Sequence, residues 1–143
     1  MTSLPEFSLE DDEADWLESA RSWMKGHFTE NADEKYATIE GKLRLIATIL
    51  EQGWIEPSET WKLQSLGIAL GDALAQKLLL DWVTIDDEFG RQPALNWPGT
   101  SILAFPLTMI SKRIEQGEAL DVEAMFDGIA AKICEMSFSG RTA

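Results

Sequence analysis

Residues 57–79 read PSETWKLQSLGIALGDALAQKLL, and residues 80–97 continue as LDWVTIDDEFGRQPALNW. In the first stretch apolar residues recur every three or four positions, which is the period of one helix face. In the second stretch the side chains at 82–86 alternate in character, which is the period of a strand, and residues 87–90 have the composition of a turn. The change of period predicts a long helix followed by a β-hairpin, and therefore an α+β fold.

The long predicted helix contains two glycines, one turn apart. Gly67, Gly71 and Ala75 are spaced four residues apart and therefore share one helix face. A glycine in a helix interior is less favourable than alanine by roughly 1 kcal/mol. We therefore expect another part of the chain to pack closely against this face and offset that loss.

Helical periodicity also occurs on both sides of this stretch. The predicted helices cover residues 9–25, 33–52, 58–79, 106–116 and 121–136. Ser8 with Asp11, Asn31 with Glu34, and Asp121 are predicted to cap three of them. A third short strand is predicted at Ser101–Phe105. The predicted architecture is α+β, with five helices packed around a small antiparallel β-hairpin or three-stranded sheet.

The length of 143 residues predicts a single domain, 1–143, in which the N-terminal helices of residues 8–52 pack on the remainder. The tail 137–143 is predicted to fray. No segment approaches the roughly 18 uninterrupted apolar residues that a membrane span requires, and the N-terminus lacks a basic signal-like region. These features predict a cytoplasmic protein that does not bind membranes.

The chain is strongly acidic, with 12 Lys and Arg against 25 Asp and Glu and a formal net charge of −13. Nucleic-acid binding depends on cationic side chains that neutralise phosphates, so a nucleic-acid partner is not expected. A negative surface instead attracts a basic protein. We predict that the partner-binding residues are Asp11, Asp12, Asp15, Asp86, Asp87 and Glu88. The alternative is that these acids only solvate the surface.

No catalytic or metal-binding motif is visible. His27 is the only histidine and has no second ligand at metal spacing, while Ser22 and Ser58 lack the context of a nucleophile. The acids at 81–88 lack the alternate-residue spacing of a calcium loop. The sequence therefore predicts a protein that is not an enzyme and that uses no cofactor and no metal.

Six tryptophans leave one alternative open. Trp16 with Trp23, and Trp54 with Trp61, are spaced seven apart and so share helix faces, where they serve either the core or an aromatic ligand platform.

The leading prediction is a non-enzymatic interaction protein that binds a basic partner, such as a bacterial immunity protein that covers the basic site of a toxin. The alternatives are a small-molecule-binding domain with a Trp-lined pocket between the helices and the hairpin, and an uncharacterised enzyme.

Residues 66–126 resemble a bacterial family, the domain of unknown function 3806. The resemblance rests on Leu66-Gly67 with Gly71, on Trp82-Val83 leading to Asp87–Arg91, and on the string MISKRIE at 109–115. It implies a compact α+β unit and no established activity, and it assigns no catalytic residue. Within MISKRIE, Lys112-Arg113 is the only adjacent basic pair of the chain, and we expect it to pair with carboxylates of the hairpin.

Overall fold

The computed structural model describes residues 6–8, 11–53, 55–56, 58–87, 90–100, 102–115 and 121–141. These residues form helices and a small antiparallel sheet, which confirms the α+β prediction. The elements are β1 (Glu6–Ser8), α1 (Asp11–Lys25), α2 (Ala32–Tyr36), α3 (Ile39–Glu51), α4 (Thr60–Leu78), β2 (Asp81–Asp87), β3 (Gly90–Asn96), β4 (Leu103–Ala104), a 3₁₀ turn (Pro106–Thr108), α5 (Met109–Glu115) and α6 (Val122–Arg141).

The helix and hairpin that the sequence predicts most clearly are both present. Helix α4 ends at Leu79, whose left-handed backbone (φ 56°) reverses the chain into β2. Strands β2 and β3 pair from Asp81 opposite Asn96 to Asp87 opposite Gly90. Proline at position 93 is tolerated because β4 pairs only with Leu95 and Asn96, so β3 has one neighbour at the proline.

The sheet has one more strand than predicted. Residues 6–8 form β1, which pairs antiparallel with β2, and the strand order is β1-β2-β3-β4. The predicted cap at Ser8 is therefore wrong, because Ser8 lies opposite Val83 in the sheet and α1 begins at Asp11. A strand of three residues is too short to show a period, and the open edge of β2 decides its conformation.

The helix predicted over 33–52 is divided into α2 and α3. Thr38 interrupts it with an extended backbone, and its Oγ1 accepts a hydrogen bond from the Gly41 amide at 2.9 Å as the cap of α3. A Cβ atom at Gly41 would lie 2.8 Å from the Thr38 Oγ1, so this close turn requires glycine. The predicted Asn31 cap is also wrong, because Asn31 adopts the left-handed conformation and its side chain makes no capping hydrogen bond.

The C-terminal elements follow the prediction with shifted boundaries. The third strand is reduced to the two residues of β4, and the helix after Pro106 starts as a 3₁₀ turn before α5. Asp121 caps α6 as predicted, since its Oδ1 accepts from the Ala124 amide at 3.1 Å. Helix α6 continues to Arg141 and so includes most of the tail expected to fray.

Helix α4 lies at the centre of the core, packed against α1, α3, α5, α6 and the 3₁₀ turn. The glycine face predicted from the sequence is confirmed. A Cβ atom at Gly67 would lie 2.8 Å from the Leu107 Cα, and one at Gly71 would lie 2.7 Å from the Trp82 ring. This close packing of turn and ring against α4 offsets the two helix-interior glycines. Within the described ranges, no helix is long and apolar enough to cross a membrane.

Candidate functional site

The predicted acidic residues lie at the start of α1 and at the end of β2. Asp12 and Asp15 are exposed on α1, and Asp86 is exposed on β2. Asp11 and Asp87 are terminal residues of the same two elements, and their side chains, like all of Glu88, lie outside the described part of the structure. We refer to Asp12, Asp15 and Asp86 as the acidic face.

One contact brings the two acidic segments together. The Arg91 Nη2 lies 3.5 Å from the Glu13 Oε2, although 78 positions separate the two residues in the chain. Arg91 is opposite Asp86 in the β2–β3 register. The Glu13 side chain is buried, and Glu13 lies in the chain between the exposed Asp12 and Asp15. The first turn of α1 is thereby held against the end of the hairpin.

Sequence reasoning missed both members of this contact. In the sequence Glu13 is one of several acids in an acidic run, and Arg91 directly follows the predicted turn, so both residues resemble solvent-exposed charges. One signal was available, because Glu13 is four residues before the buried Leu17 and seven before Ala20, and so belongs to the inward face of α1.

An aromatic cluster lies at the other end of α1. The rings of Trp23 and Trp61 meet edge to face at 5.5 Å between centroids, and the rings of His27 and Trp23 meet edge to face at 4.6 Å between centroids. Trp61 is 53% exposed, so it departs from the core role that its spacing favoured. Trp54, its predicted partner, lies outside the described residues. The cluster gives the molecule an exposed aromatic surface at the C-terminus of α1.

A buried polar network centres on Asp72 of α4. Its carboxylate accepts hydrogen bonds from Arg21 Nε (2.9 Å) and Nη2 (2.8 Å), from the Tyr36 hydroxyl (2.7 Å) and from Trp82 Nε1 (2.9 Å). These donors come from α1, α2 and β2, so one carboxylate ties three elements to α4. Burial, and then the nearby charge of Asp72, raises the pKa of Tyr36, and the hydrogen bond to Asp72 raises the pKa of Arg21.

Lys42 extends the network on α3. Its Nζ donates to Gln76 Oε1 at 2.7 Å and lies 5.1 Å from the centre of the Tyr36 ring. The side chain is buried, and this desolvation lowers the pKa of Lys42. An ionised carboxylate has about four acceptor positions, and four donors occupy those of Asp72, so the network joins these elements.

The network residues also carry a sequence signal. Asp72 is an acid inside the apolar run of α4, and Lys42 shares a helix face with Ile39, Ile46 and Ile49. Charged residues at such positions are seldom fully buried unless they are paired. What they pair with depends on the packing of other elements.

Trp82, at the junction of α4 and the hairpin, packs its indole beside Gly71 and donates to Asp72. Surface grooves are present elsewhere. One of about 520 Å³ is lined by residues of α2 and α3, including Lys35, Arg44, Glu34 and Glu40. Among the described residues no three His, Cys, Asp or Glu side chains are grouped as a metal site would require.

The sequence profile of a family described as "Domain of unknown function (DUF3806)" matches residues 42–126, which is more than half of the chain. The chain belongs to this family. The matched region of this DUF3806 protein starts well before the segment whose resemblance was recognised in the sequence, and it includes Lys42, Asp72 and Arg91 but neither Arg21 nor Tyr36.

A crystal structure from Bacteroides thetaiotaomicron VPI-5482, at 1.50 Å resolution, is similar in fold, with a TM-score of 0.70 and 14% sequence identity. The similarity covers 90% of the DUF3806 protein and 47% of the Bacteroides chain, so the present chain spans about half the length of that protein. A comparison with curated proteins finds no significant match.

Proposed function

We propose that this DUF3806 protein is a non-enzymatic interaction protein of the bacterial cytoplasm that binds a basic partner protein through its acidic face. The observation that supports the proposal is the contact of Glu13 with Arg91, which joins the first turn of α1, where Asp12 and Asp15 are exposed, to the strand residue opposite Asp86. Asp11, Asp87 and Glu88 are proposed to belong to the same face.

The charge balance supports long-range attraction to such a partner. Acidic residues outnumber basic ones by 25 to 12, and two basic residues of this region, Arg21 and Arg91, already contact Asp72 and Glu13. An uncompensated negative surface accelerates association with a basic protein and makes the rate depend on salt. A toxin that cleaves nucleic acid needs a basic site, so an immunity protein that covers this site is the partner relation we propose.

The aromatic cluster supplies the second requirement of a specific complex, which is slow dissociation. Trp residues are enriched among the few interface positions that dominate affinity. Helix α1 has 15 residues and is therefore about 22 Å long. A typical partner footprint of about 800 Å² is wide enough to include both Asp12 at its start and Trp23 near its end.

The test is capture of partners from the source organism with the immobilised protein, at about 10 mM salt and at about 1 M salt, where the Debye lengths are about 30 Å and 3 Å. The test variant is Asp12→Lys/Asp15→Lys/Asp86→Lys. The matched control is Glu123→Lys/Asp127→Lys/Glu135→Lys, which reverses three exposed acids of α6 and also changes the net charge from −13 to −7.

We expect a basic protein to be captured at low salt by wild type and by the α6 control, and to be lost with the acidic-face variant. Equal loss with both variants would mean that only total charge matters, and the proposed face would be wrong. Capture of no basic protein at low salt would contradict the proposed function itself. Thermal unfolding of each variant is measured alongside, because acids near a helix start stabilise it by about 0.3–1 kcal/mol each.

A further inference from the structure

A groove of about 360 Å³ lies between α5, α6 and β4. Its apolar lining includes Leu103, Phe105 and Ile133, which are buried or half-buried. Met136 of α6, at 40% exposure, extends the apolar surface toward solvent. The groove therefore offers an apolar surface of small-molecule size, at the lower end of the range of ligand pockets.

Three of the 12 basic residues of the chain line this one groove, namely Lys112, Arg113 and Lys132. No carboxylate is among the described residues that line it, in a chain where acids outnumber bases two to one. Arg113 Nη1 donates to the Met109 carbonyl at 2.8 Å. The predicted pairing of Lys112 and Arg113 with the hairpin is absent for its described carboxylates, Asp81 and Asp86, and the side chains of Asp87 and Glu88 lie outside the described residues. Lys112 and Lys132 are exposed and form no ion pair within the described part of the chain.

We propose that this groove binds a single-chain amphiphile with an anionic head group, of about the size of a ten-carbon carboxylate. At about 30 Å³ per non-hydrogen atom of a condensed liquid, 360 Å³ holds about twelve such atoms, the number in decanoate. The tail lies along Leu103, Phe105 and Ile133, and the head group lies near Lys112 and Lys132. The guanidinium of Arg113, held by the Met109 carbonyl, is a third donor for the head group.

This binding site is independent of the acidic face, since it uses other residues and a ligand of opposite charge. The net charge of −13 favours a small anionic ligand over an anionic membrane, because a bilayer would present its negative surface to the whole molecule. A single small anion contacts only the local cations of the groove.

The experiment follows backbone amide chemical shifts of the intact protein during titration with decanoate, decanol and decyltrimethylammonium. We expect decanoate to shift resonances of β4, α5 and α6, with a dissociation constant on the order of 1 mM. Lys112→Gln/Lys132→Gln should weaken decanoate binding roughly tenfold and leave decanol unchanged. Both lysines are exposed, so the variant keeps the wild-type fold and its spectrum verifies this.

The matched control is Lys35→Gln/Arg44→Gln, which removes two exposed cations from the α2–α3 groove, where Glu34 and Glu40 are also present. It should bind decanoate like wild type. Equal affinity of the three probes, or equal weakening by the two variants, would overturn the proposal. Co-sedimentation with phosphatidylglycerol vesicles that depends on Lys112 and Lys132, without decanoate shifts, would assign the groove to a membrane and also overturn it.

Discussion

Replacement of the central carboxylate by an amide, Asp72→Asn, tests the role of the buried network most directly. Asp72 is 11% exposed and its partner Arg21 is 23% exposed, so the pair is largely removed from solvent. The asparagine oxygen can still accept from Arg21 Nη2 and Trp82 Nε1, and the NH₂ group can donate to the Tyr36 hydroxyl, but it cannot pair with the Arg21 Nε donor. Hydrogen bonds to charged groups contribute about 1.5–3 kcal/mol each.

Loss of the Arg21 Nε hydrogen bond, together with loss of the ion pair with the largely buried Arg21, gives an expected loss of about 3 kcal/mol in the free energy of unfolding. Domains of this kind have total stabilities of about 5–15 kcal/mol, so the variant should fold with a clearly reduced margin. With a urea m-value of about 2 kcal/mol/M, the unfolding midpoint should fall by about 1.5 M at unchanged m. Tryptophan fluorescence reports the transition, since the chain has six tryptophans.

The matched control is Asp127→Asn, an exposed acid in α6, which should change stability by less than about 0.5 kcal/mol. Tyr36→Phe removes one donor to Asp72, and the double variant Asp72→Asn/Tyr36→Phe should be less destabilised than the sum of the two single variants. A loss below about 1 kcal/mol for Asp72→Asn, or strict additivity with Tyr36→Phe, would refute the network as a stabilising unit.

Three further outcomes follow from single positions. Gly67→Ala should destabilise the folded protein by about 1–3 kcal/mol because the added Cβ meets Leu107. Gly128→Ala, whose added Cβ has nothing within 4 Å, should stabilise it by about 0.5–1 kcal/mol in denaturant melts. Similar values for the two variants would contradict the close packing at Gly67. Leu79→Gly should stabilise the folded protein by about 0.5–1 kcal/mol because Leu79 is 78% exposed and has a positive φ that glycine adopts without strain. Ala131→Gly in α6 should destabilise it by about 1 kcal/mol. Destabilisation by Leu79→Gly would refute backbone strain at Leu79. The raised pKa of Tyr36, the only tyrosine, means that tyrosinate absorbance should not develop in the folded protein near pH 10.

The same pKa shift determines a pH dependence of stability. The folded state keeps the Tyr36 proton above pH 10, where the unfolded chain releases it, so the unfolded state binds fewer protons. This contribution to stability is fully present below about pH 10 and is lost as pH rises, by about 1.4 kcal/mol per pH unit. The free energies of unfolding of wild type and Tyr36→Phe, measured in urea melts, should therefore converge as pH rises above about 10. A difference between them that stays constant with pH would contradict the raised pKa of Tyr36.

The sequence by itself determined the features that depend on neighbouring residues. The change from helical to strand period locates α4 and the hairpin, and Asp121 caps α6 as its position predicts. The spacing of Gly67 and Gly71 predicted a close approach, since residues four apart share a face. Composition fixed the acidic character of the surface, and the motifs from Leu66 onward indicated the family.

Only the tertiary structure decided the features that join distant parts of the chain. Strand β1 has three residues and no period of its own, and the edge of β2 selects its conformation. Asp72 meets Arg21 across 51 positions, and Glu13 meets Arg91 across 78. Local propensity assigns charged residues like these to solvent, because it contains no information about which helix faces meet. Their pairing follows from the tertiary structure, in which α1 packs on α4 and Glu13 of α1 contacts Arg91 of β3.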